Sequence, residues 1–250
     1  MQIKKAFIFI FLLIPLLLHA QISNDSVNIS KYPETTEGIN FSPTQLIAPA
    51  ALIGLGVFGL VNNSLDKKIN ENVEKHNLST PIDDILPFIA PASVYVLNWC
   101  NVPGKHNFID RSVILGTATI LALTPVEILK YSVSRERPDE SSNLSFPSGH
   151  TTIAFIGAEF AYQEYKDQSI WYGVAGYGFA AATGVLRVYN NSHWLSDVLA
   201  GAGFGILGTK AAYWLYPEIR KLYQGTKFDH AVIVPYVSGN SYGISLSAKF

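Results

Sequence analysis

The sequence predicts an all-α, membrane-associated bundle of six helices, closed by a short C-terminal β-hairpin. Six apolar runs of helix length, 46–61, 85–99, 113–129, 152–162, 170–186 and 198–216, are each bounded by Pro, Asn, Asp or charged residues. Charged residues make up 15% of the chain, against about 25% in an average soluble protein. All four tryptophans, Trp99, Trp171, Trp194 and Trp214, lie at or near the ends of apolar runs, as an interfacial belt requires.

Several runs fall short of the ~20 residues of a comfortable membrane span. Stretches such as "GYGFAAATG" and "AGAGFGILG" let helices approach closely in a membrane, although a tightly packed soluble bundle uses the same residues. Ahead of the runs, "MQIKKAFIFIFLLIPLLLHA" combines two lysines, an apolar stretch and a small residue before Gln21. That pattern reads as a secretory signal over residues 1–20, with an uncleaved anchor as the alternative. A polar lead-in (21–44), a helical domain (45–222) and the hairpin (228–250) complete the organisation. Between the first two runs, "NNSLDKKINENVEKHNLSTPIDD" reads as a part-helical, solvated connection in which His76 is an ordinary surface histidine. In the tail, Tyr242, Ile244, Leu246, Ala248 and Phe250 alternate with Gly243, Ser245, Ser247 and Lys249 after "SGNS", a hairpin signal. Cys100 is the single cysteine, which rules out an intramolecular disulfide. Net charge is −1 and no polybasic run occurs, so nucleic acid is excluded as a partner.

Three short motifs carry chemistry. In "FPSGHTT", Pro147 fixes the chain entry, Ser148 is a natural N-cap and Gly149 keeps the backbone open. The helix start then offers free N–H groups and a positive dipole end to an anion, with His150 in the first turn. Taken alone, the stretch is an N-capped helix with an ordinary histidine. Upstream, "KYSVSRERP" sets Lys130 and Arg137 seven residues apart, two turns along one helix face, where both can grip one phosphate; a basic helix C-terminus complementing its own dipole is the bland alternative. Arg135 falls off that face and is expected to be solvated or to meet a head group. Downstream, "RVYNNSHWLSD" supplies Arg187, His193 and Asp197. On a helix the carboxylate reaches the imidazole four residues back, fixing its tautomer and leaving the other nitrogen free to attack. A helix start with an incidental His–Asp pair is the bland alternative.

In this order, Lys-x6-Arg-Pro, Pro-Ser-Gly-His and Arg-x5-His-x3-Asp resemble the type-2 phosphatidic acid phosphatase superfamily, which includes bacterial acid phosphatases and vanadium haloperoxidases. One departure is Leu186, where the family usually has Ser before the arginine. The resemblance implies a helical bundle of the phosphatidic acid phosphatase/haloperoxidase type and a site without metal or cofactor. It also implies His193 as nucleophile forming a phosphohistidine, Asp197 as its orienter and His150 as proton donor and later base. Lys130, Arg137 and Arg187, with Ser148 and Gly149, would hold the phosphate oxygens. Apolar helices around such a site point to a lipid phosphate as substrate and the membrane as partner. The rivals are a soluble exported acid phosphatase, a vanadate-dependent haloperoxidase and a non-catalytic membrane protein or transporter.

The expected site faces the periplasm, yet counting spans from an external Gln21 puts Lys130 in the cytoplasm if all six runs cross. The run 46–61, interrupted by Pro49, is the candidate for a segment that does not span; the alternative is a domain resting on the membrane.

Overall fold

The structure of the protein, a computed structural model, describes residues 42–73, 80–224, 232–238 and 241–247. The expected leader, most of the lead-in, His76 and residues 248–250 lie outside the described residues. Among the described residues there are seven α-helices: α1 (Ile47–Asn62), α2 (Ser64–Val73), α3 (Ile89–Trp99), α4 (Phe108–Val133), α5 (Gly149–Tyr165), α6 (Ile170–Tyr189) and α7 (Leu195–Lys221). Six of them lie on the apolar runs, although the run 85–99 is α-helical only from Ile89, after a 3-10 turn over Leu86–Phe88, and α2 comes from the polar connection. Two strands, β1 (Val232–Ser238) and β2 (Ser241–Ser247), pair antiparallel, with Val232 opposite Ser247 and Ser238 opposite Ser241.

Side-chain caps carry the helices beyond their apolar runs. Asn107 Oδ1 accepts the Asp110 N–H at 2.9 Å and starts α4. Its end is set by Ser134, whose left-handed backbone (φ 47°) turns its N–H onto the Lys130 carbonyl at 3.1 Å. The 26-residue α4 is therefore about 39 Å long. Pro49 does not break the first run. It lies within the first turn of α1, where backbone N–H groups have no intrahelical acceptor to lose.

Three segments are long and apolar enough to cross a membrane: Pro43–Asn62, Phe108–Val133 and Leu195–Lys221. On α1 and α4 large apolar side chains stand exposed, among them Phe58 (65%), Val61 (77%), Ile120 (67%) and Ile128 (60%). Such surface is unfavourable in water and makes the chain membrane-associated.

Helix α7 is the most buried long helix and packs against α1, α4 and α5, while α6 lies on α5. Small residues set the spacing. A β-carbon on Gly56 would stand 2.7 Å from the Ala200 β-carbon, and one on Gly203 would stand 2.6 Å from Ile53 Cγ1. The apolar core joins Ile114, Ala118 and Ala122 of α4 to Ile156 and Phe160 of α5 and Tyr213 and Tyr216 of α7. One end of the bundle is pinned by buried polar contacts. His106 Nδ1 lies 2.6 Å from Glu164 Oε1, Tyr213 donates to the same oxygen at 2.7 Å, and Arg220 donates to Asp110 at 3.0 Å. The other end gathers the C-termini of α4 and α6 and the N-termini of α5 and α7, and with them all three sequence motifs.

The packing of α1 on α7 generates a prediction. Gly56→Val forces the two helices apart and is expected to lower stability by about 1–3 kcal/mol. Gly54→Ala, at a position with nothing within 4 Å of the new carbon, should be neutral or stabilising. Thermal unfolding of both variants in one detergent checks the pair.

Candidate active site

Ser148 begins the site. It is fully buried, extended in backbone, and its Oγ accepts the Thr151 N–H at 3.5 Å, so α5 opens with capped but anion-ready amides. Its own N–H donates to the Asp197 carbonyl at 3.0 Å, which ties the start of α5 to the start of α7. Lys130 reaches this point from α4: a β-carbon on Gly149 would lie 3.1 Å from its Nζ. The ammonium also donates to Glu127 at 2.7 Å, one turn back.

Arg137 does not share a helix face with Lys130. The left-handed Ser134 ends α4 first, and Arg137 sits in the following loop, its N–H bonded to the Ser142 carbonyl at 2.9 Å. The cation is delivered by the loop and not by helical periodicity. Arg187 occupies the last turn of α6 and is 6% exposed. Both arginines keep a buried Nε without a protein acceptor, a costly arrangement that an anion oxygen would relieve.

His193 is 2% exposed and lies in the loop before α7, so it is not carried on the helix as its spacing to Asp197 suggested. Backbone bonds place it: the N–H groups of Ser192 and His193 both donate to the Arg187 carbonyl, at 3.1 and 3.2 Å. The four-residue relation to Asp197 still brings His193 Nδ1 within 3.5 Å of Asp197 Oδ2. Asp197 Oδ2 also accepts from the Trp194 N–H at 2.9 Å and from Ser145 Oγ at 2.5 Å.

Arg135 is not solvated. Its side chain is 10% exposed. Nη1 donates to Asp197 Oδ1 at 2.7 Å and Nη2 to Asp66 Oδ2 at 2.8 Å, while the guanidinium lies 5.1 Å over the Trp194 ring. The physical reason is charge: Asp66 and Asp197 are both buried, and one guanidinium fork neutralises them together.

Sequence reasoning also missed two acids. Asp83, 2% exposed, accepts from Arg187 Nη1 at 2.8 Å. Its neighbour Asp84 places Oδ1 3.4 Å from Arg187 Nη1 and 3.4 Å from His150 Nε2. The pair "PIDD" ends the polar connection far from the motifs in sequence, and no spacing rule links it to them. Asp66 was silent for the same reason; Ser145 adjoins the "FPSGHTT" motif, and only its contact with Asp197 singles it out.

Both histidines are held below the ordinary value of 6.5. Burial is the main cause for each, and Arg187 and Arg137 add to it; Asp84 and Asp83 oppose the shift at His150, Asp197 at His193. His150 and Arg187 meet through Asp84 Oδ1, 3.4 Å from each, and the His193 N–H donates to the Arg187 carbonyl at 3.2 Å, so these three lie at the same end of the bundle. Among the described residues no three His, Cys, Asp or Glu side chains come together as metal ligands.

A helix N-terminus, three cations, and two histidines of which one is backed by a carboxylate thus lie at one end of a membrane-associated helical protein. Residues 111–221, a stretch that contains all eight residues of the three motifs, match the model of the PAP2 superfamily. The lipid A 1-phosphatase of Porphyromonas gingivalis is 51% identical over 86 residues, 34% of this chain and 19% of the relative. Phosphatidylglycerophosphatase B of Bacillus subtilis is 33% identical over 94 residues, 32% of this chain and 46% of the relative. These alignments thus span less than half of each relative's length. The crystal structure of a transmembrane PAP2-type phosphatidylglycerolphosphate phosphatase from Bacillus subtilis gives a TM-score of 0.47 at 22% identity, covering 71% of this chain and 98% of that one.

The Arg135 network generates a prediction. Arg135→Ala strands two buried carboxylates, and is expected to cost about 3–5 kcal/mol of stability. Arg135→Lys, which bonds one partner at a time, should fall between. Thermal unfolding against the unmodified protein checks both; an unchanged midpoint for Arg135→Ala would remove the guanidinium's structural role.

Proposed function

We propose that this protein is a membrane phosphatase that hydrolyses lipid phosphates through a phosphohistidine, without a metal. The observation that carries the lipid half is an apolar cavity of about 380 Å³ beside the cationic pocket, lined by Leu52, Phe155, Ala181, Gly184, Val188, Leu195, Val198 and other apolar side chains. Gly184 precedes Arg187 by one turn on the same face of α6, and Leu195 and Val198 flank Asp197. A phosphate held by the arginines therefore has apolar walls within reach of its ester group. A water-soluble ester uses none of that surface. The similarity to a lipid A 1-phosphatase supports the same reading.

In the proposed reaction His193 Nε2 attacks phosphorus while Asp197 holds Nδ1. The bond to the leaving oxygen breaks with its electron pair, and His150 supplies that oxygen with a proton. Water, activated by the neutral His150, then hydrolyses the phosphohistidine. Lys130, Arg137, Arg187 and the first amides of α5 hold the equatorial oxygens, where negative charge spreads in the transition state.

The proposal includes a site facing the periplasm. The segment Pro43–Asn62 runs toward the site end, where Asn63, the next residue, meets Arg135; if it spans, Pro43 lies on the cytoplasmic side and not outside. The spanning segments of the proposal are Pro43–Asn62, Phe108–Val133 and Leu195–Lys221, the three long and apolar enough to cross.

Phosphate release from lipid phosphates of graded acyl length, beside a water-soluble ester, tests the function. We expect kcat/KM to rise by up to about fourfold per added methylene until the cavity is filled, from about 0.8 kcal/mol per buried CH2. Activity should survive chelation and be inhibited by vanadate, and His193→Ala should form no phosphoenzyme. Loss of activity on chelation, restored by a divalent ion, would sink the metal-independent mechanism; equal rates at all chain lengths would favour a soluble-ester phosphatase.

The pH dependence follows from the two imidazoles. The mechanism needs His193 neutral and His150 protonated, and both lie below 6.5 in the free protein. As pH falls His193 gains a proton and stops attacking; as pH rises His150 loses the proton it must donate. The maximum of kcat/KM, which reports the free protein, is therefore expected on the acid side of 6.5. A maximum above about pH 7.5 would contradict this assignment.

A further inference from the structure

We propose that Asp84 selects the leaving group: its carboxylate favours phosphate monoesters, which release a neutral alcohol, over diphosphates, which release a phosphate anion. The proposal rests on the phosphatase reading above and on the geometry at the mouth of the pocket. Two adjacent acids divide their work there. Asp83 points inward, its side chain 3% exposed, and holds Arg187 at 2.8 Å. Asp84 is outermost, its side chain 63% exposed, and a single oxygen, Oδ1, lies 3.4 Å from both His150 Nε2 and Arg187 Nη1.

That carboxylate is held in place. The turn Pro81–Asp84 opens with Thr80, whose Oγ1 accepts the Ile82 N–H at 3.3 Å. Thr80 is bonded in turn by Asn190: its N–H donates to Asn190 Oδ1 at 3.3 Å and its carbonyl accepts from Asn190 Nδ2 at 2.9 Å. Asn190 belongs to the loop that carries His193, so the acidic turn is stapled to the chain segment bearing the nucleophile.

The position has a chemical consequence. When the N–P bond to His193 forms and the P–O bond breaks, the leaving oxygen keeps the electron pair and takes the proton from His150 Nε2. It must lie within about 3 Å of that nitrogen. With Asp84 Oδ1 at 3.4 Å from the same nitrogen, leaving oxygen and carboxylate are at most about 6 Å apart. An alcohol carries no charge to that place, and any neighbouring hydroxyl donates to the carboxylate. The leaving phosphate of a diphosphate brings a negative charge to it. At about 6 Å, with an effective dielectric between roughly 20 and 80, the repulsion amounts to about three- to a hundredfold in rate. Lys130, Arg137 and Arg187 grip the transferred phosphoryl group in both substrates, so their effect largely cancels from the ratio.

Farnesyl monophosphate and farnesyl diphosphate test this with one tail and two leaving groups. With full-length protein in detergent, Asp84→Asn and Asp84→Ala are each expected to raise the diphosphate-to-monophosphate ratio of kcat/KM by about tenfold. A purely structural role would lower both activities and leave the ratio alone. A shift below about twofold in both variants would overturn the proposal, being smaller than the weakest repulsion the geometry allows. The second readout does not need turnover: thermal-shift titration with inorganic phosphate and pyrophosphate. Removing the carboxylate should tighten pyrophosphate more than phosphate, and equal changes for the two ions would count against Asp84. If the unmodified protein hydrolyses neither farnesyl ester nor any other phosphate, the phosphatase reading fails, and the titration still decides whether Asp84 discriminates between the anions.

Discussion

The end of the bundle that carries the candidate site depends on one guanidinium. Arg135 sits between two buried carboxylates, Asp66 on α2 and Asp197 on α7, and bonds both. Without it, either acid would be a buried, uncompensated charge. With it, α2, the loop after α4 and the first turn of α7 are fixed to each other. Asp197 is thereby held where its other oxygen faces His193. Ser196 extends the connection, its N–H and hydroxyl both donating to Asp66. The arginine that supports the site is two residues from the one expected to bind phosphate, and the two do different jobs because the chain has left the helix between Lys130 and Arg135.

The packing of the bundle serves the same end. Small residues on α7 let α1, α4 and α5 come close. A β-carbon on Gly201 would lie 2.5 Å from the Ser148 carbonyl oxygen, and that approach puts the α5 and α7 N-termini side by side. Two helix dipoles then converge on one pocket. At the opposite end His106, Glu164, Asp110 and Arg220 pin α4, α5 and α7 through buried polar bonds. The helices cannot slide without breaking one set or the other, and a one-residue slide (about 1.5 Å) would already misplace the site.

Electrostatically, the pocket is a balance and not simply a basic patch. Arg137 and Arg187 disfavour protonated histidine, and Asp83 and Asp84 oppose them at His150. Buried arginine nitrogens remain without acceptors, so the pocket keeps unfilled donors while its net charge is moderated. This would suit the proposed phosphoryl transfer, where donors matter most when the oxygens become most negative.

Much of this was legible in the sequence. Apolar runs bounded by breakers marked six of the helices, because membrane and core burial both demand continuous apolar faces. Ser148 as a cap and the order of the three motifs were visible because caps and short-range spacings are local. The same local reasoning overreached where it extended helical periodicity through Ser134 to Arg137 and through the loop to His193, since a single left-handed residue or a short turn ends the helix without a strong sequence signal. It also judged Pro49 by residue type alone, when position within the first turn makes proline harmless. Asp66, Asp83, Asp84 and Arg135 could not be assigned from spacing. Their roles come from contacts between residues 62 to 130 positions apart, such as Arg135 with Asp197 and Ser196 with Asp66. The sequence by itself determined the helices and the chemistry of the three motifs, because hydrophobic continuity, caps and short spacings act along the chain. Only the tertiary structure decided which charges neutralise one another, because a buried charge takes whichever partner the packing of distant helices brings within bonding distance.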